Sequence, residues 1–102
     1  MRTYYLRDKN NHPKGSVGIK DGRMSFAICS RKENFDKKKA RMIVEGRMNI
    51  GKTSEFIPSS NFDLKVALSA WGLLSPAKKQ KIDLERAEYV LKKILENEEA
   101  RV

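Results

Sequence analysis

The sequence predicts an α+β domain, in which a small antiparallel sheet of about three strands (βββ) is followed by three helices packed on one face. Three observations predict it. The turn signal Asp21-Gly22 lies between two stretches that alternate between apolar and polar residues. The apolar spacing becomes helical after Ser30, and helix-start patterns follow at residues 60–63 and 75–76. We expect residues 1–102 to form one domain.

The first strand is predicted at residues 3–7, where aromatic and β-favouring residues precede a run of turn formers. The second and third are predicted at residues 16–20 and 23–30. With Asp21 and Gly22 in a type I′ turn, residues equally distant from the turn face each other. One face of the hairpin then consists of Val17, Ile19, Met24, Phe26 and Ile28, and the other of Ser16, Gly18, Lys20, Arg23, Ser25 and Ala27.

The helices are predicted at residues 35–50, 61–73 and 76–97, and residues 51–60 as a loop. Asn34 is a suitable N-cap for the first helix. The apolar residues that share one side of that helix at 100° per residue are Phe35, Met42, Ile43, Gly46 and Ile50. We expect this side to face the sheet, with Gly46 allowing a close approach.

Residues 46–53 match G-x-x-x-x-G-K-[ST], the pattern of the phosphate-binding P-loop. A P-loop requires a strand before the motif and a helix after it. Here the preceding residues favour a helix, and Pro58 would stop a helix soon after Thr53. We therefore interpret the match as the end of the first helix, with Gly51 as its left-handed stop. Two alternatives stay open: nucleotide binding at residues 46–53, and non-catalytic phosphate binding by Gly51, Lys52 and Thr53.

Other reactive groups are sparse. His12 lies in a turn-rich loop and Cys29 is the only cysteine, which predicts a buried thiol and excludes an internal disulfide. No metal-ligand spacing or catalytic triad is present, so we predict a non-enzymatic protein without catalytic residues, metal or cofactor. The chain has no apolar run long enough to span a membrane and no signal-peptide pattern at residues 1–6. We expect a cytoplasmic protein with no membrane partner.

The formal net charge of +9 is concentrated in the first half of the chain. Residues 1–52 contain fourteen Lys and Arg against five Asp and Glu, whereas residues 53–102 contain eight of each. A positive field of this kind attracts nucleic acid or an acidic protein surface. The candidate polyanion-binding residues are Lys20, Arg23, Arg31, Lys32, Lys37, Lys38 and Arg41. The alternative is that they only keep the protein soluble. Tyr4 or Tyr5 could add an aromatic contact.

The first half of the chain also contains a recognisable combination of motifs. They are Tyr5-Leu6-Arg7-Asp8-x-x-Asn11-x-Pro13-x-Gly15, Phe26-x-Ile28-Cys29-Ser30, Phe35 and Arg41-x-Ile43-Val44-x-Gly46-Arg47. Over about residues 4–47 the combination resembles a group of small uncharacterised proteins encoded by bacteriophages and prophages. In that group the helix commonly closes on Gly-Arg without a following Gly-Lys-Thr, which implies that the P-loop match is incidental. The resemblance implies an accessory protein acting inside a bacterial cell and identifies no catalytic residue.

Two functions are compatible with these features. The first is a non-enzymatic protein that binds nucleic acid or another polyanion through the basic N-terminal half. The second is a protein-binding inhibitor of a host defence or nucleic-acid enzyme, such as a CRISPR nuclease, that occupies an acidic surface or acts by mimicry. The two hypotheses differ in the partner, which is nucleic acid in one and an acidic host protein in the other.

Overall fold

The computed structural model describes residues 1–55, 63–75 and 81–99. The described elements are β1 (Arg2–Arg7), β2 (Pro13–Lys20), β3 (Arg23–Ile28), α1 (Lys37–Asn49), β4 (Ser54–Glu55), α2 (Leu64–Ala70) and α3 (Leu84–Glu99). The strands form one antiparallel sheet in the order β1-β2-β3-β4. The predicted α+β class, a three-stranded antiparallel sheet followed by three helices, is confirmed. The two-residue strand β4 is an addition, because residues 51–60 were predicted as loop.

The β2–β3 hairpin has the predicted register. Lys20 lies opposite Arg23 and Val17 lies opposite Phe26. The turn residues Asp21 and Gly22 have φ angles of 50° and 75°, the left-handed values that a type I′ turn requires. Turn chemistry and apolar alternation therefore fix the register together, as the sequence indicates.

The apolar face of the sheet packs against α2 and α3. The buried core cluster contains Leu6, Val17, Ile19, Met24, Phe26 and Ile28 from the sheet side, with Leu64, Leu68, Leu73 and Leu91 from the helical side. Phe26 and Trp71 meet edge to face, with ring centroids 5.1 Å apart. This layer is the main apolar core of the described residues, and it leaves the opposite face of the sheet for α1.

Helix α1 covers the face of small residues. The hydroxyl of Ser16 donates to the carbonyl of Ala40 at 3.3 Å, and that of Ser25 donates to the carbonyl of Val44 at 2.8 Å. A Cβ on Gly18 would lie only 3.3 Å from the Val44 Cβ atom, so this glycine permits the close approach. The helices therefore lie on both faces of the sheet, and the predicted packing of all three on one face is corrected. The small side chains of β2 and β3 leave room for α1 on this face of the sheet.

The orientation of α1 differs from the prediction. Ala40 and Val44 are buried against the sheet, whereas Met42 and Ile50 are 64% and 78% exposed. Nothing lies within 4 Å of a Cβ built on Gly46, so this glycine does not mediate packing. The predicted apolar side is wrong at these three positions. A sheet face made of serine, glycine and alanine accepts small side chains and helix carbonyls, and Met42 and Ile50 point to solvent.

The helix starts also differ from the prediction. Asp36, not Asn34, caps α1, and its Oδ1 atom accepts from the main-chain N–H groups of Lys38 and Lys39 at 2.9 and 3.2 Å. Asp63 caps α2, where its Oδ1 atom accepts from the N–H of Val66 at 3.1 Å. In each case an aspartate just before the first turn supplies the acceptor that the free N–H groups need.

The last helix is shorter than predicted. Residues 81–83 are not helical, and α3 begins at Leu84, where Asp83 accepts from the main-chain N–H of Arg86 at 3.3 Å. Of the predicted start patterns, residues 60–62 and 76 lie outside the described residues. Among the helices that are described, none is long and apolar enough to cross a membrane.

Candidate functional site

The P-loop-like segment is a helix end. Its first four residues, 46–49, belong to α1, Ile50 is the C-cap, and Gly51 has a φ of 78°. The N–H groups of Gly51, Lys52 and Thr53 donate to the carbonyls of Met48, Arg47 and Gly51 at 3.2, 2.9 and 3.0 Å. The prediction that Gly51 stops the helix is confirmed.

A P-loop would need a different arrangement at these residues. Residues 42–46 are helical rather than extended, and Thr53 leads into β4 rather than into a helix. The three amides that would surround a phosphate already donate inside the turn. The nucleotide-binding alternative therefore lacks its geometry, and a phosphate near Gly51, Lys52 and Thr53 would be contacted by side chains alone.

The predicted polyanion-binding residues lie at both ends of α1. Lys37 and Lys38 form its first turn and Arg41 lies one turn further on, while Arg31 and Lys32 precede the helix. Lys20 and Arg23 flank the turn of the β2–β3 hairpin and lie near the other end of α1. Strand β4 follows that end of the helix and pairs with Arg23. These ends are separated by the length of a 13-residue helix, roughly 20 Å. The structure thus divides the predicted set into two clusters.

The start of α1 is strongly basic. Lys37, Lys38 and Lys39 are exposed, and the first turn contains no acidic residue. The positive end of the helix dipole disfavours cations at this end, and only the cap Asp36 opposes that effect. Further along, Arg41 pairs with Glu45 at 3.1 Å. The dipole therefore disfavours the three lysines at this end of α1, so helix stability does not explain their position.

An aromatic side chain lies beside these lysines. Tyr5 is opposite Ser16 in the sheet and therefore faces the α1 side. The Lys37 Nζ atom lies 5.1 Å from the centroid of the Tyr5 ring, and Phe35 packs edge to face on the same ring at 5.7 Å. We call the surface formed by Tyr5, Lys37, Lys38 and Arg41 the basic helix face.

A second basic cluster surrounds Trp71 at the other end of α1. The Lys52 Nζ atom and the Arg47 Cζ atom lie 5.2 and 6.0 Å from the centroid of the Trp71 ring. The guanidinium of Arg47 also donates to the main-chain carbonyl of Phe26. Arg23 donates to the hydroxyl of Thr53 at 3.1 Å. We call this group, with its three cations and one indole, the Trp71 cluster.

Sequence reasoning did not find Arg47 and Trp71. They are 24 residues apart, and no spacing rule connects a residue near the end of one helix with the cap of another. The sequence pointed to this part of the molecule through the Gly51-Lys52-Thr53 turn and through Lys20 and Arg23 at the tip of the β2–β3 hairpin. Among the side chains that the structure describes, no carboxylate forms an ion pair with Arg47 or Lys52.

The perturbed titratable groups lie elsewhere. Hydrogen bonds from the main-chain N–H of His12, and then of Asn10, hold the pKa of Asp8 below its usual value. Cys29 is only partly buried, so the prediction of a buried thiol is corrected. Its partial burial, and then the charge of Glu33, raises the pKa of the thiol. A thiol with a raised pKa is a weaker nucleophile at neutral pH. No group of three or more potential metal ligands occurs in the described part of the chain.

No protein-family model, curated protein or solved structure matches this sequence. The resemblance to phage and prophage proteins over residues 4–47 stays a prediction. The function is therefore inferred from the geometry and charge of the two basic clusters.

Proposed function

We propose that this protein binds nucleic acid without catalysis, through contacts between the basic helix face and the phosphate backbone. The observation that carries the proposal is the first turn of α1, where Lys37, Lys38 and Lys39 are exposed beside the positive end of the helix dipole. A bound phosphate relieves both unfavourable effects, because it neutralises the lysines and interacts with the dipole.

The packing of α1 supports this role. The hydrogen bonds from Ser16 and Ser25 hold the helix on the sheet, so the backbone that carries its outer cations is fixed. Such contacts to phosphates position a protein on nucleic acid and carry no sequence information directly. We therefore expect binding with little sequence preference from this surface.

The helices on the two faces of the sheet carry opposite net charge. Helix α1 contains five Lys and Arg and one Glu. Helix α3, which packs on the other face of the sheet, contains three Lys and Arg and five Glu. A polyanion is therefore attracted to the α1 side and repelled from the α3 side.

The test compares two triple variants that lose the same charge. One variant replaces Lys37, Lys38 and Arg41 with Gln, and the control replaces Arg86, Lys92 and Lys93 of α3 with Gln. Binding to a fluorescent oligonucleotide is measured by anisotropy over a range of salt concentrations. We expect the α1 variant to reduce the slope of log K against log salt by about 2 to 3, as three lost phosphate contacts would.

The control should leave that slope nearly unchanged. Equal effects of the two variants would show that only net charge matters, which contradicts a defined surface. Failure of the wild-type protein to bind DNA or RNA at low salt would reject the proposal.

A second function, binding of an acidic host protein, is supported by Met42 and Ile50. Both are exposed on the outer side of α1, with Gly46 between them, and an apolar centre with a charged rim is typical of protein interfaces. Pull-down from nuclease-treated lysate separates the two functions. A specific partner that is lost when Met42 and Ile50 are both replaced with Gln would favour the second.

A further inference from the structure

The Trp71 cluster lies at the edge of the sheet, between α1 on one face and α2 on the other. Over its two described residues, strand β4 pairs with Arg23 and Met24 of β3. Beyond β4, the carbonyl of Phe26 accepts a hydrogen bond from Arg47, which reaches the sheet edge from the α1 side. Trp71 packs on Phe26 from the opposite face. Beyond β4, the Phe26 position at the edge of β3 is therefore contacted by Arg47 from one face of the sheet and by Trp71 from the other.

The indole ring of Trp71 is held in a fixed orientation. Its Nε1–H donates to the hydroxyl of Ser54 at 2.9 Å. It meets the Phe26 ring at an interplanar angle of 87°. The side chain is only half-buried, so a rigid aromatic surface remains partly accessible at the end of α1.

The groups around this ring are cationic. Lys52 is exposed and its ammonium lies 5.2 Å from the ring centroid, while the Arg47 guanidinium is fixed on the Phe26 carbonyl. A ligand for such a site needs a flat π surface for the indole and a negative charge for the cations. A nucleotide has both, since any base can stack on an aromatic side chain and its phosphate can pair with lysine.

We infer that the Trp71 cluster binds one unpaired nucleotide, with the base stacked on Trp71 and the phosphate contacted by Lys52. The inference rests on the proposed nucleic-acid binding and adds a preference for single strands. In a duplex the bases are paired and stacked on each other, so they cannot reach the indole. Lys52 leaves the ring when the base arrives and moves to the phosphate, and Arg47 keeps its bond to Phe26.

Trp71 is the only tryptophan of the chain, so its fluorescence reports on this site. The wild-type protein is titrated with three ligands of equal length: a single-stranded oligothymidylate, its abasic analogue and a duplex. We expect saturable quenching with the oligothymidylate and little quenching with the other two ligands. Equal quenching by the abasic strand or the duplex would overturn the inference, because neither ligand offers an unpaired base.

Two variants test the roles of the residues. Lys52→Met keeps the aliphatic stem, and Trp71→Phe keeps an aromatic ring on Phe26. Each should weaken single-strand binding about tenfold and leave duplex binding nearly unchanged. Lys92→Met on α3 is the matched control and should alter neither. Equal losses on single strand and duplex would contradict a stacking role for Trp71.

The outcomes separate this inference from the proposed function. Binding of all three ligands without quenching would reject the nucleotide site and leave the basic helix face as the binding surface. Absence of binding to any of them would reject both. Circular dichroism checks that Trp71→Phe folds, and if it does not, Lys52→Met and the quenching experiment still decide.

Discussion

The hydroxyl of Ser25 donates a 2.8 Å hydrogen bond to the main-chain carbonyl of Val44, and this bond joins the middle of the sheet to the middle of α1. Both residues are fully buried. Together with the Ser16 bond to Ala40, it shows that α1 docks through small residues and polar contacts. The outer side of α1 takes no part in this docking, and its cations Lys37, Lys38 and Arg41 are exposed.

Replacement of Ser25 with Ala should destabilise the protein. The variant loses a buried hydrogen bond, so the free energy of unfolding should fall by about 1 kcal/mol. Urea unfolding followed by circular dichroism measures the change. Ser16→Ala is the comparison, and it should have a smaller effect because the Ser16 bond is longer, at 3.3 Å. A Ser25→Ala variant as stable as the wild type would show that this bond does not hold the helix.

Two glycine substitutions should have opposite effects on stability. A Cβ on Gly46 meets nothing within 4 Å, so Gly46→Ala should stabilise the exposed helix by about 0.5 to 1 kcal/mol. A Cβ on Gly15 would lie 2.6 Å from the carbonyl oxygen of Ala27, so Gly15→Ala should destabilise the sheet by about 1 to 3 kcal/mol. Urea midpoints measure both. Destabilisation by Gly46→Ala would mean that α1 packs through this glycine after all.

The sheet was predictable because its signals are local. The Asp21-Gly22 turn and the alternation on either side of it depend on neighbouring residues, and they agree. The side of α1 that faces the sheet was not predictable in the same way. Met42 and Ile50 give a good apolar pattern, but the sheet face opposite the helix consists of small residues and selects Ala40 and Val44 instead. Packing against the sheet, rather than the apolar pattern, therefore determines which side of α1 is buried.

Only part of the candidate site was predictable from the sequence. Lys37, Lys38 and Arg41 lie on one helix because their spacing is short, and the sequence shows that directly. The contact of Arg47 with Trp71 depends on where β4 ends and on how α2 packs on Phe26. Such contacts require the complete fold, so the basic residues and Tyr5 were found from the sequence and Trp71 was not.

The Cys29 thiol should react slowly with iodoacetamide at neutral pH. Burial, followed by the charge of Glu33, raises the thiol pKa, and the Sγ–H also donates to the Glu33 carbonyl at 3.3 Å. A raised pKa lowers the thiolate fraction, so the midpoint of rate against pH should lie above that of the urea-unfolded chain. Glu33→Gln should shift the midpoint down, whereas Glu45→Gln should not. A native midpoint at or below the unfolded one would contradict the prediction.

Replacement of Lys38 with Glu should stabilise the protein and weaken nucleic-acid binding. Lys38 is exposed at the second position of α1, where a negative charge interacts favourably with the helix dipole, so the free energy of unfolding should rise by about 0.3 to 1 kcal/mol. The same change removes a cation from the basic helix face and puts an anion in its place. Affinity for nucleic acid should fall about tenfold or more at low salt.

Lys65 is the matched control, because it is exposed at the second position of α2, on the other face of the sheet. Lys65→Glu makes the same change of charge at an equivalent helix position, so its stability should also rise. Its affinity for nucleic acid should fall much less than that of Lys38→Glu, because Lys65 belongs neither to the basic helix face nor to the Trp71 cluster. Urea unfolding and anisotropy measured on both variants give the four values. If the two variants lost affinity equally, overall charge rather than the position of Lys38 would govern binding.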